Sequence, residues 1–242
     1  MQRSRRKWFH TEQRRHAHDH GLRIELELNL SANAREAQTR YHALRSRQIF
    51  GIFEEILPPD RLVRVLGSFV GNAAVTQMAL SFSDTRAHTD AIAIALYFGI
   101  QPTEPGRVRS MSVDDLRRDL EATRVPSVMN QVRQHVTIGR RMHIPVVACE
   151  GGQHLVTWNA GALQGDATLE ALFDAVNRDQ RFEALYSRYL QNWPEVGGGL
   201  FMHDTNCNRY GLFGRFGSLE NIDQPRAEAP KYDAIQRRAR GR

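Results

Sequence analysis

The sequence predicts an α/β fold built of parallel β/α units. Three observations carry that prediction: continuous apolar runs of strand length, helical segments with apolar residues three to four apart, and strict alternation of the two along the chain. Alternation of this kind requires crossover connections, which are right-handed.

Residues 22–30 alternate Ile24, Leu26, Leu28 and Leu30 with polar neighbours and read as a loop or edge strand. Residues 32–57 read as a helix, with Tyr41, Leu44, Ile49, Phe53, Ile56 and Leu57 on one stripe, stopped by Pro58-Pro59. Residues 62–69 read as a first strand and residues 72–82 as a short helix with Val75, Met78, Ala79 and Phe82 on one face. Residues 91–99 are a second, buried strand closed by Gly99. A long helical region between Met111 and His143 starts at Ser112, ahead of Asp114 and Asp115, with a break expected at Pro126. Ile144, Val146, Val147, Ala148 and Cys149 form a third strand that ends on Glu150, and Gly151-Gly152 are expected to turn the chain sharply after it. A helix over residues 169–193, a short fourth strand at Leu200–His203, a loop over residues 204–220 and a final helix over residues 230–240 complete the pattern. Four strands are half of what a closed eight-fold barrel needs, and they leave open edges.

The chain has 242 residues, 41% of them hydrophobic, enough for a sizeable core. Its two cysteines, Cys149 and Cys207, suggest neither a disulfide framework nor a metal cluster, and no cofactor is indicated. No run approaches the roughly 18 to 20 apolar residues that span a bilayer, and no apolar leader opens the sequence, so a cytoplasmic location is expected of the chain as it stands. The net charge of +6 is concentrated at the ends. Arg3, Arg5, Arg6, Lys7, Arg14, Arg15 and Arg23 crowd the start, and Arg226, Lys231, Arg237, Arg238, Arg240 and Arg242 the finish. Such ends can bind nucleic acid nonspecifically, although solvated termini account for them more simply. Residues 1–31 are therefore set apart as a basic, atypical segment, and residues 32–242 as the folded body.

Ligands of parallel α/β folds gather at the carboxyl ends of the strands. There the sequence places Ser68 and Asn72, Tyr97, Glu150 with His154, and His203 with Asp204. The aromatics Phe98, Trp158, Tyr210, Phe213 and Phe216 follow strands and offer flat faces suited to sugar rings. A lone strand-end carboxylate is more often an ion-pair partner than a catalyst, and a lone loop aromatic more often packs locally. The convergence of several such residues is what favours a site.

Glu150-Gly151-Gly152-Gln153-His154, the Tyr97-Phe98-Gly99 strand end, Arg61-Leu62-Val63-Arg64-Val65-Leu66, the segment Phe213 to Glu220 and Ala229-Pro230-Lys231-Tyr232 resemble the C-terminal half of bacterial cellulase-like proteins. These are clan A retaining glycoside hydrolases with (β/α)8 (TIM) barrels, and the resemblance covers roughly residues 30 to 235. It implies a half barrel holding the last four strands, with Glu150 as nucleophile and Tyr97 as its hydrogen-bonding tyrosine. It further implies a polysaccharide or oligosaccharide ligand bound by Ser68, Asn72, His154, Trp158, His203, Asp204, Phe213 and Phe216, Phe213 or Phe216 flooring the first sugar subsite. Retaining hydrolysis also needs an acid/base carboxyl about 5 to 5.5 Å from the nucleophile. Relatives carry it in an Asn-Glu pair, and no such dipeptide occurs here; Ser4 and Trp8 match the flanks, but Arg6 stands at the carboxylate position. The expectation is therefore a glycosidase-like chain, truncated and inactive alone, that self-associates or lacks its other half. A carbohydrate-binding protein is the alternative, and full-length relatives can be secreted.

Overall fold

The computed structural model describes Leu28, residues 30–100 and residues 104–241. The basic start, and most of the stretch 22–30, lie outside the described residues. Two compact units divide the remainder: one runs up to Leu66 and adds Ala74–Ala91, the other takes Gly67–Ala73 and everything from Ile92 onward.

In the first unit the leading helix α1 spans Ala34–Glu54, capped by Asn33, whose side chain accepts the Glu36 N–H at 3.1 Å. Its buried residues are Ala37, Thr39 and Ala43, whereas Ile49, Ile52 and Phe53 are exposed. The apolar stripe expected of this helix is thus only partly used for packing. Ahead of the first strand, β1 (Val65–Ser68), Arg64 donates to Asp90 from its backbone N–H at 2.7 Å and from its guanidinium at 2.7 and 3.0 Å. The guanidinium also meets Glu54 at 2.7 Å, and together these contacts hold both carboxyls below their ordinary values.

The second unit carries most of the sheet, and the site. The strand order is β1-β2-β3, with β2 at Ala91–Gly99 and β3 at Val146–His154; β2 and β3 are parallel. The short helix α2 (Ala73–Ser81) runs between β1 and β2, nearly all of it in the first unit, and between β2 and β3 lie α3 (Pro105–Val108), α4 (Val113–Asp119) and α5 (Val125–Met142). Ser112 caps α4 in a reciprocal box with Asp115, whose carboxyl falls to about 2 through its bonds to Ser112 and Arg118. The break expected at Pro126 comes a turn early, as a π turn over Leu120–Arg124. Proline lacks an N–H and so fits the first turn of the following helix, and Arg124 fastens the junction through Asp119 at 2.8 Å and Glu104 at 2.7 Å.

The single helix expected over residues 169–193 is two, α6 (Ala167–Arg178) and α7 (Phe182–Glu195), because Asp179 turns its carboxylate onto the Arg181 N–H at 2.9 Å and ends the first. The fourth strand forms only as a parallel bridge between Ala148 and Phe201, supported by Ala148 N–H to Leu200 at 2.9 Å and Met202 N–H to Ala148 at 3.1 Å. The last helix, α8, spans Pro230–Ala239. The core lies where Ile92, Ile94, Leu96 and Phe98 of β2 are buried, together with the apolar faces of α5, α6 and α7. Among the described residues, no helix is long and apolar enough to cross a membrane.

Candidate functional site

Glu150 lies inside β3, four residues before its end. Val146 and Ala148 are buried, so a period of two would turn Glu150 into the core as well. The register slips instead: Ile94 faces Ala148, and Ala95 faces Glu150. Cys149 is the extra residue of this bulge, and both Cys149 and Glu150 emerge exposed. Gly151-Gly152 therefore do not turn the chain as expected; they continue the strand, paired with Leu96 and Tyr97. Their lack of side chains answers two tyrosine hydroxyls arriving from α7. A Cβ on Gly151 would lie 2.8 Å from the Tyr189 hydroxyl, and one on Gly152 2.7 Å from that of Tyr186.

Tyr97 gathers the polar groups. Its O–H donates to Asp204 Oδ2 at 2.8 Å, and burial, Asp204 and Glu150 all push its pKa well above the ordinary tyrosine value. It thus stays a hydrogen-bond donor at neutral pH. The next residue back, His203, meets the Tyr186 hydroxyl at 2.7 Å; burial and the nearby Lys231 bring its pKa down to about 4, so its imidazole is neutral at pH 7. On the other side, the rings of Tyr97, His154 and Phe216 stand mutually 5.7 Å apart. The packed face of His154 lowers its pKa too, although part of the ring is open to solvent.

Trp158 and Phe213 form a separate pair, 5.0 Å between centroids, with Phe213 68% exposed. Ser68 ends β1 and Asn72 follows it in a turn onto Phe69 O. Two of the proposed rim aromatics are not at the rim. Phe98 is 1% exposed and packs on Tyr189 at 4.8 Å, because the inward pleat of β2 claims it for the core. Tyr210 is half-buried between the cations of Arg178 at 5.6 Å and Lys231 at 4.8 Å.

Periodicity alone did not single out the groups that anchor the loop carrying Phe216. Arg215 is wholly buried and bonds Asp174 at 2.5 Å, Glu170 Oε2 at 2.7 Å and the carbonyls of Glu170 and Gly211. Its own carbonyl accepts from the buried side chains of Gln153 and Lys231. The signal available in the sequence was an arginine inside a Gly-Arg-Phe-Gly loop facing acidic positions one helical turn apart, Glu170 and Asp174.

Among the described residues neither Glu150 nor Asp204 forms an ion pair, while Asp90, Asp119, Asp166, Asp174, Glu220 and Asp233 each hold an arginine. Two carboxylates left without a cation among the described residues, beside one half-buried phenol, are acceptors available to a ligand. Among the described residues, no group of three His, Cys, Asp or Glu is placed to hold a metal ion. The proximity of Glu150 is also felt by Cys149, whose thiol is pushed up by burial and by that carboxylate. Glu150→Gln should therefore raise the rate of Cys149 alkylation at pH 8 severalfold, read by mass spectrometry. An unchanged rate would mean that the two groups do not interact.

Fold and site together define an α/β protein whose parallel sheet presents a carboxylate–tyrosine group flanked by aromatic rings. No protein-family model, curated protein sequence or solved structure matches the chain.

Proposed function

We propose that the chain is a glycosidase-like half barrel whose exposed sheet end binds a β-linked polysaccharide or oligosaccharide, with Glu150 in the nucleophile position. The observation that carries this reading is the convergence of Glu150 and Asp204 on Tyr97, beside Phe216 and His154, with neither acid ion-paired to an arginine among the described residues. Carboxylates accept from sugar hydroxyls, and the rings supply apolar faces for the C–H side of a pyranose. The Tyr97 O–H goes to Asp204, and its oxygen stands beside Glu150.

Hydrolysis by this chain alone is not expected. The leaving oxygen needs an acid, and the other carboxyl beside Tyr97, Asp204, already accepts the Tyr97 hydrogen bond. Incubation with an aryl β-glucoside should give no turnover above buffer. Turnover abolished by Glu150→Gln would contradict this, and loss with Asp204→Asn as well would make Asp204 the acid. In the same reading, the missing half of the barrel, or a second copy of this chain, covers the edge where Leu200 and Met202 are 69% and 57% exposed.

A carbohydrate-binding protein without catalytic ancestry is the second reading, and the exposed Phe213 stacked against Trp158 favours it. Nucleic-acid association through the basic ends has less support. Arg226 and Arg237 at the C-terminal end are held by Asp233, and the N-terminal arginines lie outside the described residues.

A further inference from the structure

We propose that Tyr186 is a positioning residue: its hydroxyl, packed against Gly152 of β3, holds His203 and thereby sets where Asp204, the next residue, meets Tyr97. The proposal rests on reading the Glu150–Tyr97–Asp204 group as a glycan site.

Tyr186 is fully buried on α7, and a buried phenol needs a partner for its proton. Its oxygen lies 2.7 Å from His203 Nε2. The phenol keeps its proton and the imidazole is neutral, so a Tyr186 O–H donated to Nε2 satisfies both buried groups and orients the His203 ring. Gly152 marks the meeting point. A Cβ there would stand 2.7 Å from the Tyr186 hydroxyl, 3.6 Å from the Asp204 carbonyl and 3.8 Å from His203 Nε2, so strand, helix and the 203–204 segment touch at one residue. Asp204 is secured further by its N–H to Gly151 O at 3.3 Å and by Tyr97, which is itself paired with Gly152 in the sheet. The groups facing His203 are Tyr186 from α7, Lys231 from α8 and its own neighbour Asp204. Among these, the Tyr186 hydroxyl is the group hydrogen-bonded to the imidazole ring, and it ties the 203–204 segment to α7.

Removing that hydroxyl leaves His203 Nε2 without it, and the imidazole becomes free to turn. Asp204 then loses its fixed approach to Tyr97. The test follows Tyr97 in protein labelled with 13C at the tyrosine ring carbon bearing oxygen, its signal assigned with Tyr97→Phe. In the unaltered chain Tyr97 should resist ionisation well past the ordinary tyrosine value of about 10. In Tyr186→Phe and His203→Ala its titration should move down toward about 10, and affinity for a soluble β-glucan hexasaccharide should fall at least about tenfold. His203→Gln, whose amide oxygen can take the Tyr186 proton, should restore both. A Tyr97 titration unchanged in Tyr186→Phe, even with a lower melting temperature, would overturn the proposal and leave Tyr186 as core packing only. As a second measurement at pH 7, the Tyr97 hydroxyl proton should exchange faster in Tyr186→Phe, and an unchanged exchange rate would count equally against the proposal. If Tyr97 shifts as expected but the unaltered chain binds no sugar, the positioning role stands and the glycan reading falls.

Discussion

Arg215→Met should lower the stability of the sheet-bearing unit by about 3 kcal/mol, the lower end of the cost of breaking a buried ion pair. The guanidinium is 1% exposed, but Glu170 and Asp174 keep 22% and 29% exposure, so their stranded charges recover some solvation. Scanning calorimetry should register a fall in melting temperature of roughly 10 °C. Arg215→Lys should recover little of it, because an ammonium cannot make the forked contacts to Glu170, Asp174 and the Gly211 carbonyl together. The loss should reach the site as well, since Phe216 is the next residue and its ring packs on Tyr97 and His154. A variant within about 1 kcal/mol of the parent, the range of an exposed pair, would mean that the loop is held by something else.

Gly151→Ala should cost about 1–3 kcal/mol, the usual range for overpacking. The added methyl would meet the Tyr189 hydroxyl at 2.8 Å, Leu96 O at 2.9 Å and the Phe201 ring at 3.0 Å. The Leu96 carbonyl belongs to the sheet backbone and cannot swing away. Tyr189→Phe in the same chain should therefore relieve only part of the strain, leaving the Leu96 and Phe201 contacts. Because Gly151 follows Glu150 directly, the shift also re-aims the carboxylate, and sugar affinity should fall with stability. Denaturant unfolding of the single and double variants checks this, and full recovery in the double variant would show that the hydroxyl alone sets the limit.

These two residues also show what could be read from the sequence. The limits of β2 at Ala91 and Gly99, the Ser112 cap and the start of the last helix at Pro230 follow from local chemistry, and local chemistry is written in the neighbouring residues. Gly151-Gly152 misled for the same reason: adjacent glycines are a local turn signal, yet here they make room for Tyr189 and Tyr186, some 35 residues away in the chain. The bulge at Cys149 was hidden likewise, since an apolar run does not announce a slip in register. The split between α6 and α7 was masked because the apolar spacing carries on across Asp179. Within the site, Glu150, Tyr97, Asp204, His154 and Phe216 were legible in the sequence and do come together, although Glu150 lies inside β3 and not at its end. Arg215, Tyr186 and Tyr189 support that group from behind, and only the tertiary arrangement shows them doing so.

The most direct test is titration with a soluble β-glucan hexasaccharide at pH 7, followed by Trp158 fluorescence and by NMR of labelled Tyr97, alongside Phe216→Ala and Glu150→Gln. A glycan site on this face predicts saturable binding with a Kd below about 1 mM, weakened at least about tenfold in either variant. No change in either signal at millimolar sugar, or equal binding by all three proteins, would contradict it.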